Sequence, residues 1–139
     1  QSCLPMLRTA RGSVVNVSSV HATATSLNIS AYAASKGALE AFTRAAALEL
    51  AGEGVRVNCV RPGAVDTPML QEGLARCAIP GTASERLETF GKKHPIGRVG
   101  RPRDIAQAIL FLADADRSGF VCGETLTVDG GVTARLSTE

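Results

Sequence analysis

A chain of 139 residues has room for one domain with a modest core. Its hydrophobic share of 45% and charged share of 20% are ordinary for a soluble globular protein, and its aromatic share of 4% calls for an aliphatic, alanine-rich core. A net charge of +2 gives no argument for nucleic acid or a membrane surface as partner, and no apolar run approaches the ~18 residues of a membrane span.

In chain order, residues 4–7 look like the end of a helix, and a start on Gln1 reads as a fragment of a longer protein. Residues 13–18 form a short β-branched run after Gly12 and predict a buried strand. A polar loop follows over residues 21–30, and Ser30 is placed to cap a helix over about residues 31–50. Leu39, Phe42, Ala46 and Leu50 recur at helical spacing and predict its apolar face. Six small residues, from Ala33 to Ala45, make this helix slim enough for close packing.

Gly52 and Gly54 end the helix, residues 55–60 alternate into a second strand, and Pro62-Gly63 breaks it. Strand, helix and strand make a βαβ unit, whose strands are normally parallel. Residues 65–93 predict two short helices, near 68–76 and 83–92, separated by Pro80-Gly81. Their apolar residues fit a mobile lid over an apolar ligand and an ordinary surface hairpin about equally. Residues 102–113 predict a helix, with Pro102 in the first turn and Asp104 favouring its positive end. A turn over residues 119–123 leads to a third strand, 124–128, closed by Asp129-Gly130-Gly131. No linker or repeat divides the chain, so residues 1–139 form a single unit.

Cys3, Cys59, Cys77 and Cys122 lie far apart with no histidine at zinc-ligand spacing, which is simplest as free thiols in a reducing cytoplasm and no metal site. His94, before Pro95, reads as a loop residue. His21 could face a substrate, with an exposed loop position as its plainer expectation.

Tyr32 and Lys36 are four residues apart, and Ser19 precedes Tyr32 by 13. Helix positions four apart share one face, so phenol and ammonium meet there. The ammonium favours the phenolate, and a phenol tuned this way exchanges protons with a substrate. A serine hydroxyl from another segment can hold the substrate oxygen. A Tyr-x-x-x-Lys pair alone is commonly just a solvated helix face, so its neighbours must decide.

Those neighbours are Val14-Val15-Asn16-Val17-Ser18-Ser19, Tyr32-Ala33-Ala34-Ser35-Lys36, Asn58-Cys59-Val60-Arg61-Pro62-Gly63, Pro95-Ile96-Gly97-Arg98-Val99-Gly100 and Val128-Asp129-Gly130-Gly131. Each is weak alone. In this order and at these distances they resemble the short-chain dehydrogenase/reductase family over about residues 12–131, nearest to members acting on 3-oxoacyl groups, sugars or steroids. The resemblance implies an α/β fold: the C-terminal part of a doubly wound, Rossmann-like parallel sheet, with three strands and flanking helices. It implies a catalytic set of Ser19, Tyr32 and Lys36. Tyr32 would be the general acid/base, Lys36 its electrostatic partner and ribose ligand, and Ser19 the oxygen-binding hydroxyl. Ser18 sits one residue too far from Tyr32 for that role.

Cofactor contacts would come from Tyr32, Lys36, Pro62, Gly63, Val65 and Thr67. The implied cofactor is NAD or NADP, and the implied substrate a small carbonyl or secondary alcohol. The implied assembly is a homotetramer or homodimer, built through the Tyr32 helix and the last strand, in the cytoplasm. Neither Gly-x-Gly-x-x-Gly nor Gly-x-x-x-Gly-x-Gly occurs after a strand, so the N-terminal nucleotide-binding half is expected to be absent. The isolated chain is therefore expected to be inactive. The alternative is a non-catalytic piece that retains only assembly surfaces.

Overall fold

The computed structural model describes residues 2–77 and 79–136. Its elements are α1 (Leu4–Ala10), β1 (Ser13–Val17), a 3-10 turn (Val20–Ala22), α2 (Ser30–Ala51), β2 (Arg56–Pro62), α3 (Pro68–Arg76), α4 (Ala83–Gly91), α5 (Pro102–Ala113), α6 (Ala115–Ser118) and β3 (Thr125–Val128). The strands form one parallel sheet in the order β1-β2-β3, with Val15 beside Asn58 and Val60 beside Leu126.

Alternation along parallel strands sends neighbouring residues to opposite faces. Val14 and Val57 pack with Ala46 and Ala47 of α2, together with Leu7 of α1. Val15, Val60, Leu126 and Val128 pack with Ile105 and Leu112 of α5. The sheet is thus covered by α1 and α2 on one side and by α5 on the other, as its aliphatic strands require.

Polar stitching completes the layers. Arg56 spreads its guanidinium over the C-terminal end of α5, donating to the carbonyls of Leu112 at 2.8 Å and Ala113 at 3.2 Å. It also reaches the Ser118 carbonyl at 3.1 Å. A cation suits a helix C-terminus, where carbonyls lack amide partners. Asn58 donates to the Val121 carbonyl at 2.8 Å and accepts from the Glu124 amide at 3.0 Å, so it fastens the turn before β3.

Several details differ from the sequence reading. Residues 4–10 are a complete short helix, closed by Arg11 in a left-handed conformation (φ 47°). Ser30 is the first helical residue; Ile29 precedes it and makes no side-chain cap. The buried stripe of α2 is Glu40, Thr43, Ala46 and Ala47, while Phe42 is 59% exposed. Polar residues take the sheet side because partners wait there, as for Thr43, which accepts from the Asn16 amide at 2.9 Å.

Strand β2 runs through Pro62 and breaks at Gly63. The Cys59 and Gly63 amides donate towards β3, so the amide Pro62 lacks would face β1, which has already ended at Val17. His94 lies in a loop as expected, but that loop is packed inward and the side chain is buried, 4% exposed, its Nδ1 3.3 Å from the Phe90 carbonyl. The chain turns under Gly130 there, with the Ile96 amide donating to the Gly130 carbonyl at 3.2 Å. Helix α6 was without a sequence signal. Among the described residues no helix is long and apolar enough to cross a membrane.

Candidate active site

Parallel strands put the exits of β1 and β2 at one edge of the sheet, where open α/β folds bind ligands. Ser19 leaves β1 in extended conformation, 8% exposed, and its Oγ accepts from the His21 amide at 3.3 Å. That bond starts the 3-10 turn. The turn brings the His21 ring edge-on to the Tyr32 ring, centroids 5.9 Å apart at 74°. Tyr32 stands in the first turn of α2 and is 37% exposed. One turn later, Lys36 Nζ donates to the Val17 carbonyl at 2.9 Å and lies 5.6 Å from the Tyr32 ring centroid. The structure therefore gathers Lys36, Tyr32 and the turn that Ser19 opens around the exit of β1.

Ser18 does a different job. It is 4% exposed, and its Oγ donates to the Lys36 carbonyl at 3.2 Å. It fastens α2 to the strand exit from behind. Glu40 and Arg61, which the sequence reading did not single out as site residues, form a partly buried pair on the same side, Glu40 buried and Arg61 half-buried. Arg61 Nε donates to Glu40 Oε1 at 2.8 Å and Nη2 to Oε2 at 2.6 Å. The Arg61 hydrogen bond holds the Glu40 carboxyl below the ordinary glutamate value, although burial opposes it. Burial pushes the neighbouring Cys59 thiol up, which leaves it protonated and inert.

The second wall is the exit of β2. A Cβ on Gly63 would lie 2.8 Å from the Asp129 Cα, so glycine is dictated there by the chain's own packing. Val65 bridges to Gly100 in parallel fashion. Thr67 caps α3, its hydroxyl accepting from the Leu70 amide at 3.4 Å and donating to the Val65 carbonyl at 3.2 Å. Asp129 is partly buried, which raises its carboxyl. The Thr133 hydroxyl and the Thr133 and Gly131 amides outweigh that effect and bring it below the usual aspartate value.

A cavity of about 220 Å³, lined by residues that include Ala64, Arg98, Asp104 and Asp129, opens beyond β2 and β3 and touches none of Ser19, Tyr32 and Lys36. Arg98 and Asp104 already pair there at 2.6 Å.

The donor set fits the nicotinamide-ribose end of a dinucleotide. An ammonium has three donors, and Lys36 spends one on Val17. The Tyr32 hydroxyl has no protein partner at hydrogen-bond distance among the described residues. Lys36 and Tyr32 are thus free to bind ribose hydroxyls, and the Thr67 oxygen keeps a lone pair for a carboxamide.

The family model described as enoyl-(acyl carrier protein) reductase matches residues 1–133. The chain belongs to the short-chain dehydrogenase/reductase family. It is 42% identical over 123 residues to cis-4-hydroxycyclohexanecarboxylate dehydrogenase of Sinomonas cyclohexanicum, covering 88% of this chain and 45% of that protein. It is 43% identical over 130 residues to a protein of Xanthobacter autotrophicus named inactive 2-(S)-hydroxypropyl-CoM dehydrogenase 2, covering 93% of this chain and 54% of that one. The aldohexose dehydrogenase of Thermoplasma acidophilum superposes with a TM-score of 0.89 at 34% identity, covering 96% of this chain and 53% of its own. The chain spans about half the length of the curated relatives it matches.

Proposed function

We propose that this chain is the catalytic, nicotinamide-side half of an oxidoreductase that interconverts a carbonyl and a secondary alcohol with NAD or NADP. The observation that carries the reading is the Lys36 ammonium, tied to the Val17 carbonyl beside the Tyr32 ring at the strand exit that leads into Ser19. A bound nicotinamide supplies or accepts the hydride. In the reducing direction, the Ser19 and Tyr32 hydroxyls donate hydrogen bonds to the substrate oxygen as it gains negative charge. The Tyr32 proton passes to that oxygen, and the phenolate left behind is stabilised by the Lys36 ammonium. In the oxidising direction the proton returns to Tyr32. Lys36 and Tyr32 hold the ribose; Pro62, Gly63, Val65 and Thr67 wall the nicotinamide. The names of the relatives fit a small alicyclic, sugar or acyl-linked alcohol as substrate. The outward residues Phe42 and Leu48 of α2, 59% and 84% exposed, suit contacts in a homodimer or homotetramer.

The test is NADH and NADPH turnover by the chain alone and by the chain joined to the residues that precede it in its gene. Turnover is expected only from the longer form. Tyr32→Phe in that form is expected to lower kcat by roughly 10²–10⁴-fold. A second reading, a non-catalytic assembly piece, is favoured by the 43% identical relative that is named inactive. It would be upheld by a longer form that assembles and binds cofactor yet turns over no carbonyl substrate, with Tyr32→Phe making no difference.

A further inference from the structure

The N-terminal half of α2 carries Tyr32 and Lys36 yet buries only one residue of its own, Glu40; the aliphatic contacts of the helix begin at Ala46. The buried aliphatic core therefore does not reach the turn that holds the acid/base, which packs instead on the 3-10 turn through the Tyr32 and His21 rings. Three polar ties join it to the strand exits. Two run to the exit of β1: Lys36 Nζ to the Val17 carbonyl, and Ser18 Oγ to the Lys36 carbonyl. The third is the forked bond from Arg61 to Glu40, at 2.8 and 2.6 Å, with Glu40 4% exposed. Arg61 also reaches Thr127 Oγ1 of β3 at 3.2 Å.

Glu40 follows Lys36 by one turn on the sheet-facing side, and Arg61 immediately precedes Pro62. A buried ion pair is a poor source of net stability, because desolvation offsets much of the attraction. A planar guanidinium on a carboxylate does fix direction and distance along two bonds at once.

We propose that the Glu40–Arg61 pair is a positioning device that sets the register of the Tyr32–Lys36 turn of α2 against the Pro62-Gly63 exit of β2, so that the two walls of the site face each other at a fixed spacing. This rests on the oxidoreductase reading for its catalytic consequence and on packing alone for its structural one. Neither residue touches substrate; both act through the backbone they anchor.

The test uses the longer form in three versions: wild type, Arg61→Lys, and the apolar double variant Glu40→Leu with Arg61→Met. The double variant is expected to keep the wild-type Tm, since well-packed apolar replacements of buried pairs are commonly tolerated. Its kcat is expected to fall by roughly tenfold to a hundredfold while KM changes less, because a shift of about 1 Å in catalytic geometry costs this much. Arg61→Lys keeps the charge but loses the fork, and a smaller loss in kcat at unchanged Tm is expected; it also serves if the double variant does not fold.

Tyr32 is the single tyrosine. In the longer form its 13C ring signal is identified by its absence in Tyr32→Phe, and its proximity to the His21 ring is measurable by NMR without turnover. Loss of that proximity in either variant supports positioning. Wild-type kcat and an unchanged Tyr32 signal in both variants would overturn it, as would a kcat loss that only follows Tm. An inactive wild type would sink the oxidoreductase reading alone, and the NMR comparison would still decide the positioning role.

Discussion

Gly63 is held by its neighbour. Its hypothetical Cβ would sit 2.8 Å from the Asp129 Cα and 3.1 Å from the Asp129 carbonyl oxygen, both backbone atoms that cannot swing away. Gly63→Ala is expected to cost about 1–3 kcal/mol by forcing the exits of β2 and β3 apart, read as a lower Tm or urea midpoint. The family resemblance assigned this glycine to the nicotinamide; the structure shows a sufficient reason in the chain's own packing. Glu40 supplies a pH prediction. Arg61 holds its folded-state carboxyl below the ordinary value of 4.5. A depressed carboxylate contributes stability above its unfolded value and loses it as pH falls through the folded one. The Tm of the wild type should thus fall on acidification below about pH 4.5, and Glu40→Gln should flatten part of that decline in a thermal-denaturation series. Asp104 and Asp129 account for some of the remainder, since their carboxyls are lowered too. Ser19, Tyr32 and Lys36 could be singled out together because two of them share a helix face and the third lies two residues beyond the preceding strand. Glu40 and Arg61 could not, because they meet only once β2 has docked under α2, and nothing in their 21-residue separation announces it.

At the scale of elements, α2 shows where periodicity misleads. Leu39, Phe42, Ala46 and Leu50 form a plausible apolar stripe, yet the helix turns Glu40, Thr43, Ala46 and Ala47 to the sheet. Phe42 is left in the open because Asn16 and Arg61 satisfy the polar groups on the other side. An apolar count has no way to know which polar residues will find partners. Small side chains at Ala46 and Ala47 set the spacing to β2, and Ala47 also lies 3.4 Å from where a Cβ on Gly123 would stand. Ala47→Leu is expected to destabilise by about 1–3 kcal/mol through overpacking, measured by urea unfolding. Helices α3, α4 and α5 were readable because each carries its own punctuation. Pro68 and Pro102 start two of them, and Thr82 with Glu85 closes a capping box on the third. Helix α6 has four residues and no such marks beyond Asp114, which explains its silence in the sequence. His94 was read as a loop residue from Pro95 and lies in a loop; its burial follows from contacts with Phe90, one turn earlier, and with the Gly130 turn, which is far away in sequence.

Across the whole molecule, β1 lies at one end of a three-stranded sheet, and among the described residues its outer edge has no strand partner. Unpaired parallel edges recruit other chains. The isolated polypeptide is expected to self-associate in a concentration-dependent way by light scattering, and joining it to the residues that precede it in its gene should suppress this.

The guanidinium of Arg56 adds a different constraint. It holds the last carbonyls of α5 together with those of the turn that leads to β3, at Leu112, Ala113, Ser118 and Val121. Helix end and connecting turn therefore cannot fray separately, for opening either strips hydrogen bonds from the same cation. Amide protons in this stretch should exchange with deuterium as one cooperative unit, at a rate common to the helix terminus and the turn. Replacing Arg56 by methionine should split that unit in two, with the turn exchanging first.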